Sequence, residues 1–235
     1  MMQNTIFVGI LISLLSGCGL LETGPMQITT SDTDSSSNRV AGEAKYRIEA
    51  PDFKAGQKWT YRRVDLWKNR ETERFRQDFI MPDNKLWVVR WNILNSDNQQ
   101  RMGSVTGELF DTTFHSFADA SFSGQYQPLS FPLSNGKTWH FKYSIPSKQL
   151  SVTQTATVEG WETVKVPAGT FGAMRVNHEG NYSARTNDWS WTGRISETYW
   201  YSPEAQRIVK REYQDTNGEG QIWDQWRDEL VEIKL

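Results

Sequence analysis

Between Lys137 and Ile145 the chain alternates strictly, with Trp139, Phe141, Tyr143 and Ile145 on one side and His140, Lys142 and Ser144 on the other. A period of two marks a strand with one face buried. The same pattern recurs over residues 57–67, 74–81, 85–94, 152–166, 171–182, 190–201, 207–215 and 221–235. Eight or nine such strands joined by short polar turns predict an antiparallel all-β domain. Two architectures satisfy it: a strongly curved sheet or half-barrel with a short helix or lid, and a two-sheet β-sandwich.

Turn chemistry sets the boundaries. The run DTNGEG (215–220) contains Asn-Gly, a hairpin signal because both residues tolerate positive φ. VPAGTF (166–171) places Pro and Gly between two alternating runs. PDNK (82–85) and LSNGK (133–137) read as two more turns, and Ser202-Pro203-Glu204 reads as the cap and start of one helical turn. AGQKWTY (55–61) and NGKTWHF (135–141) share a Gly, a gap of two and a Trp, one turn-into-strand solution used twice. One stretch departs from period two: Phe110, Phe114 and Phe117 in LFDTTFHSFADAS (109–121) recur at i, i+4 and i+7, which suits a short helix or a covering loop.

The N-terminus has a different pattern. Ile6–Leu15 are ten apolar or small residues without charge, half the length of a spanning helix and the layout of an export signal. Leu15-Ser16-Gly17-Cys18, which holds the only cysteine, resembles the bacterial lipoprotein cleavage box. The resemblance implies that Cys18 becomes the first mature residue and carries acyl groups, an anchor in the membrane. Gly19, where Asp would retain the chain, implies by the same resemblance sorting to the outer membrane with the folded part facing the periplasm. Glu22–Ala44 is dominated by Ser, Thr, Asp and Gly and offers little to bury. A coil over residues 18–44 spans roughly 30 Å and serves as a tether. The predicted division is therefore a signal peptide at 1–17, an acylated Cys and tether at 18–44, and one β domain at 45–235.

Composition narrows the function. The 26 basic and 28 acidic residues are interspersed, as in RETERFRQD, which argues against a nucleic-acid partner. With a single cysteine no intramolecular disulfide exists. His115, His140 and His178 are far apart and lack zinc-ligand spacing, so no metal or other cofactor is expected. SNGK (134–137) fits S-x-x-K formally, but Asn-Gly makes it a turn rather than the helix that acylating enzymes use. DTNGEG imitates the start of a calcium loop, yet its twelfth position is Trp226. Glu71 with Glu73, and Asp228 with Glu229, would serve a hydrolase only if folding set two carboxylates across a cleft.

LSNGKTW, VPAGTFGAMRV and YWYSPEAQRIVKREY, in that order over residues 133–213, resemble a group of uncharacterised bacterial exported proteins and lipoproteins. The resemblance implies a β-rich envelope lipoprotein and brings no activity with it.

What remains is tryptophan: eleven, all between Trp59 and Trp226. Most suit a core. Trp189 and Trp191 lie among polar and flexible neighbours, and Trp223 and Trp226 take opposite faces of one strand, so these four are the candidate ligand-binding residues. The expected role is non-catalytic: binding or carrying an envelope lipid, lipoprotein or glycan on an aromatic-lined face. A structural subunit of an envelope complex and a carboxylate hydrolase are the alternatives.

Overall fold

Alternating segments become strands because each places one apolar row against a common core. In the computed structural model these are β1 (Arg47–Ile48), β2 (Lys58–Asp65), β3 (Arg70–Ile80), β4 (Val88–Ser96) and β5 (Gly103–Glu108). β6 (Ser123–Gly124), β7 (Leu133–Ser134), β8 (Thr138–Ile145) and β9 (Leu150–Val166) follow. The chain ends in β10 (Gly169–Arg185), β11 (Ser190–Ser202), β12 (Arg207–Asn217) and β13 (Ile222–Lys234). The structure describes residues 46–80, 88–97, 103–108, 123–124, 126–145, 149–186 and 188–235, all within the compact unit Ser36–Leu235. The leader, Cys18, the tether, the 82–85 turn and the 109–121 segment lie outside the described residues.

Eleven strands form one antiparallel sheet in the order β5-β4-β3-β2-β13-β12-β11-β10-β9-β8-β6, and β1 pairs with β7 in a separate ribbon. The ends of the large sheet, β5 and β6, do not meet, so it stays open. The expected antiparallel all-β class holds, with a large curved sheet that does not close into a barrel. Every pairing from β4 through β11 by way of β3, β2, β13 and β12 carries a bulge, as does β9 with β10. A bulge adds one residue to one strand, bends it and raises the local twist. Repeated across the sheet, bulges curl it until distant parts touch. Ala168, in the β9–β10 turn, donates its N–H to the Leu230 carbonyl of β13 at 3.0 Å.

The inner face is the core. Trp59, Phe79, Leu129, Leu133, Ala156, Val158, Met174 and Leu230 are fully buried. Residues 126–134 lie across β8–β11, where Trp139 Nε1 donates to the Gln127 carbonyl at 2.8 Å and Phe131 meets Tyr201 edge-on. From the other side the β11–β12 corner covers β2 and β3. Trp59 Nε1 donates to the Ala205 carbonyl, the Tyr61 hydroxyl to the Ile208 carbonyl, and Arg207 Nε to Gln77 Oε1. At that corner Ser202 Oγ accepts the Ala205 N–H at 3.5 Å, the expected cap contact, and the single turn Pro203–Gln206 closes as a hairpin turn with the Gln206 N–H on the Pro203 carbonyl. β11 and β12 are already paired up to Ser202 and Arg207, so the ladder decides the local conformation.

The DTNGEG hairpin forms with different chemistry from the expected Asn-Gly turn. Asn217 ends β12, its Oδ1 accepts the N–H groups of Glu219 and Gln221, and the positive φ falls on Gly220. The twin glycine-to-tryptophan entries are alike: Gly56 and Gly136 both have positive φ, and Trp59 and Trp139 each donate an indole N–H to a backbone carbonyl. Lys137 of SNGK donates Nζ to the Ser130 and Pro132 carbonyls, a loop clamp with no catalytic serine involved.

Candidate functional site

The four candidate tryptophans do not form one platform. Trp226 is half-buried on the inner face, stacked on Tyr213 with ring centroids 4.8 Å apart. The Arg63 and Arg211 guanidinium carbons lie 3.8 and 4.7 Å from its centroid. Trp223 occupies the extra position in the β12–β13 bulge and is 72% exposed. Trp189, in the β10–β11 turn, is 77% exposed, and Trp191, at the start of β11, is 46% exposed. Trp67, in the β2–β3 turn, joins them at 59% and was not singled out from the sequence. Because β2 ends opposite Trp226 near the start of β13, the β2–β3, β10–β11 and β12–β13 turns share one end of the sheet. Thus the four exposed tryptophans of the described residues all decorate that end.

Beneath it, a row of charges crosses the inner face. The register sets Glu73 opposite Arg63, Arg63 opposite Asp228, and Asp228 opposite Arg211. Arg63 Nε and Nη2 donate to the two Asp228 carboxylate oxygens at 2.8 and 2.9 Å, and its Nη1 stands 3.8 Å from Glu73 Oε1. Arg211 Nη2 pairs with Glu197 Oε1. Glu197 Oε2 accepts from the Tyr199 hydroxyl at 3.1 Å and from Gln154 Nε2 at 3.2 Å, and the Tyr199 and Tyr126 hydroxyls share a 2.8 Å bond. Charges so placed survive burial only through such partners. Burial pushes the Glu197 carboxyl up, but the charge of Arg211 and the hydrogen bonds from Arg211 and Gln154 outweigh it and hold it below the usual carboxylate range. Burial likewise opposes the charge on Arg63, and Asp228 overrides it.

His178 sits at the edge of this array, fully buried among Trp139, Phe141 and Tyr199. Neither ring nitrogen makes a hydrogen bond of ordinary geometry, although the Pro128 carbonyl lies within electrostatic reach. Burial pushes its pKa down to about 4, so it is neutral at physiological pH.

The array is chemically closed. Its carboxylates are committed to arginines, and of the two acid pairs weighed from the sequence, Glu73 and Asp228 come together only by gripping Arg63 from either side. Among the described residues, no three His, Cys, Asp or Glu side chains are grouped as metal ligands. The sequence did carry a signal for the array: Arg63 is in phase with Trp59 and Tyr61, and Glu197 with Ile195 and Tyr199. Charged residues in an apolar phase mark buried ion pairs or sites.

No protein-family model and no curated protein sequence matches this chain. Two solved structures are similar to it. One, described as an exported protein with a YmcC-like fold from Bacteroides fragilis, is 17% identical, with a TM-score of 0.49 over 81% of this chain and all of its own. The other, described as a lipoprotein from Parabacteroides distasonis, is 13% identical, with a TM-score of 0.48 over the same shares.

Proposed function

We propose that this chain is an acyl-anchored envelope lipoprotein, held by Cys18 in the outer membrane, whose periplasm-facing β domain is a non-catalytic binding module for an envelope component. The anchor rests on the Leu15–Cys18 box and the uncharged run before it. The binding role rests on one observation: Trp67, Trp189, Trp191 and Trp223 are all well exposed at one end of the sheet. Large exposed apolar rings gathered in one region mark an interaction surface. On the inner face, Trp59, Phe79, Trp139, Phe141 and Tyr199 are packed as core.

The test is a native mass spectrum of the full-length protein, made in a Gram-negative host and extracted with detergent. The expected species begins at an acylated Cys18 and carries a reproducible added mass of lipid or glycan. The quadruple W67A/W189A/W191A/W223A variant loses that mass. A protein as the added mass assigns the tryptophan end to an assembly subunit. An unliganded wild-type protein with no cross-linked partner in intact cells overturns the binding reading.

A further inference from the structure

A polar groove runs beside the tryptophan end. Its main part, about 780 Å³, lies over the outer face of β8–β11, where Lys142, Thr153, Asn181 and Arg194 stand in one row, and the β12–β13 turn at Gly218–Gly220 walls one side. A second part, about 390 Å³, shares Ser183 and Thr192 with it and ends at Arg185 and Trp191. The two adjoin along β10 and β11 through those shared residues.

Several arginines of the domain are tied to carboxylates, as in Arg62 with Glu229, Arg74 with Glu71 and Arg76 with Asp78. Lys142, Arg185 and Arg194 are exposed, and no carboxylate among the described residues pairs with them. The one acidic side chain lining the channel is Glu219, in the turn at its rim. A local cationic excess on a chain of net charge −2 is complementary to an anion.

Spacing selects the kind of anion. Lys142 and Arg194 are three strands apart, about 14 Å at the usual strand separation, and Arg185 lies four residues beyond Asn181 on β10, about 13 Å along the strand. One phosphate cannot reach all three, whereas charges repeated along a chain can. Between the cations the lining is hydroxyl and amide, from Thr153, Asn181, Ser183 and Thr192, suited to sugar hydroxyls. A nucleic acid would need several stacking rings, and a flat bilayer cannot enter a walled channel.

We infer that this channel binds an extended acidic polysaccharide, with Lys142, Arg185 and Arg194 pairing its carboxylates. The inference goes beyond the binding reading above, which rests on the tryptophan end of the sheet. The probe is hexagalacturonic acid, titrated into the detergent-solubilised full-length protein by calorimetry and tryptophan fluorescence, with its methyl ester as the neutral control. The acid form binds saturably and weakens as salt rises. The ester binds at least about tenfold more weakly, and K142Q/R194Q and R185Q each lose about tenfold. R47Q, at an exposed ion pair on β1 that lines no part of the channel, changes nothing. No saturable binding of the acid up to about 1 mM, or binding unmoved by the charge variants, overturns the inference. If the protein instead retains its native added mass or sediments with anionic vesicles through the tryptophans, the binding reading stands and the polysaccharide assignment falls. Loss of every such signal removes both.

Discussion

The inner face and the tryptophan end use the same side chains in opposite ways. On the inner face Trp59 is wholly buried, wedged edge-on against Phe53 and Phe79 with its indole N–H on the Ala205 carbonyl. At the end of the sheet Trp223 is 72% exposed and rides on a bulge that no neighbour covers. Charges divide the same way. Inside, Arg63 and Arg211 are locked to Asp228 and Glu197; outside, Arg47 and Arg70 have acidic partners, whereas Arg185 and Arg194 pair with no acid among the described residues. A buried aromatic or charge must be satisfied within the fold. An exposed one is under no such constraint.

The contrast can be broken most forcefully from the inside. Trp59→Ala removes a fully buried ring and an indole hydrogen bond and lowers unfolding free energy by about 4 kcal/mol in a denaturant titration. A loss as small as that of a surface substitution would show that Trp59 is not core.

Acid comes next. His178 is neutral in the fold, with a pKa near 4, whereas the unfolded chain takes up a proton near the ordinary 6.5. Between these values the unfolded state binds more protons, so this contribution is complete above 6.5 and is lost as pH falls toward 4. The loss is about 3 kcal/mol, and His178→Phe flattens stability across the same window. An unchanged pH slope in that variant would locate the acid sensitivity elsewhere.

The ion pair yields a smaller and more diagnostic effect. Arg63→Ala leaves Asp228 buried without its bidentate partner and costs about 2 kcal/mol. The double change Arg63→Met with Asp228→Leu recovers to within about 1 kcal/mol of wild type, because two apolar side chains no longer need each other. Failure of the double variant to recover would mean that the array does more than hold the register.

The smallest stability effect belongs to the other region. Trp67→Ala and Trp223→Ala each change unfolding free energy by under about 0.5 kcal/mol while weakening capture of the envelope component. Equal losses from Trp59→Ala and Trp223→Ala in one thermal melt series would erase the distinction between the two regions.

The all-β class, the long strands and several turns were legible in the sequence. Alternation is local: the pleat sends neighbouring side chains to opposite faces whatever the rest of the chain does. β8 shows it, with Trp139, Phe141, Tyr143 and Ile145 buried and His140 and Lys142 exposed. β5 was missed because GSVTGE holds two glycines and a single aliphatic residue; its pairing with β4 makes it a strand. Close approach was equally hidden at Gly193, where an added Cβ would sit 2.1 Å from the Thr216 carbonyl oxygen and 2.6 Å from the Tyr182 ring.

For the candidate residues the division is sharper. Trp223 is 72% exposed and Trp226 half-buried, but Trp223 occupies the extra position of a bulge, so the period of two by itself does not set its face. That Trp226 lies between Tyr213 and two arginines, that Trp67 joins Trp189, Trp191 and Trp223 at one end, and that Lys142 shares a channel with Arg185 depend on which strands adjoin and in what register. Bulges at six pairings shift that register one residue at a time, and each shift redirects every side chain beyond it. The chain by itself determined which residues point inward; only the assembled sheet decided which of them meet.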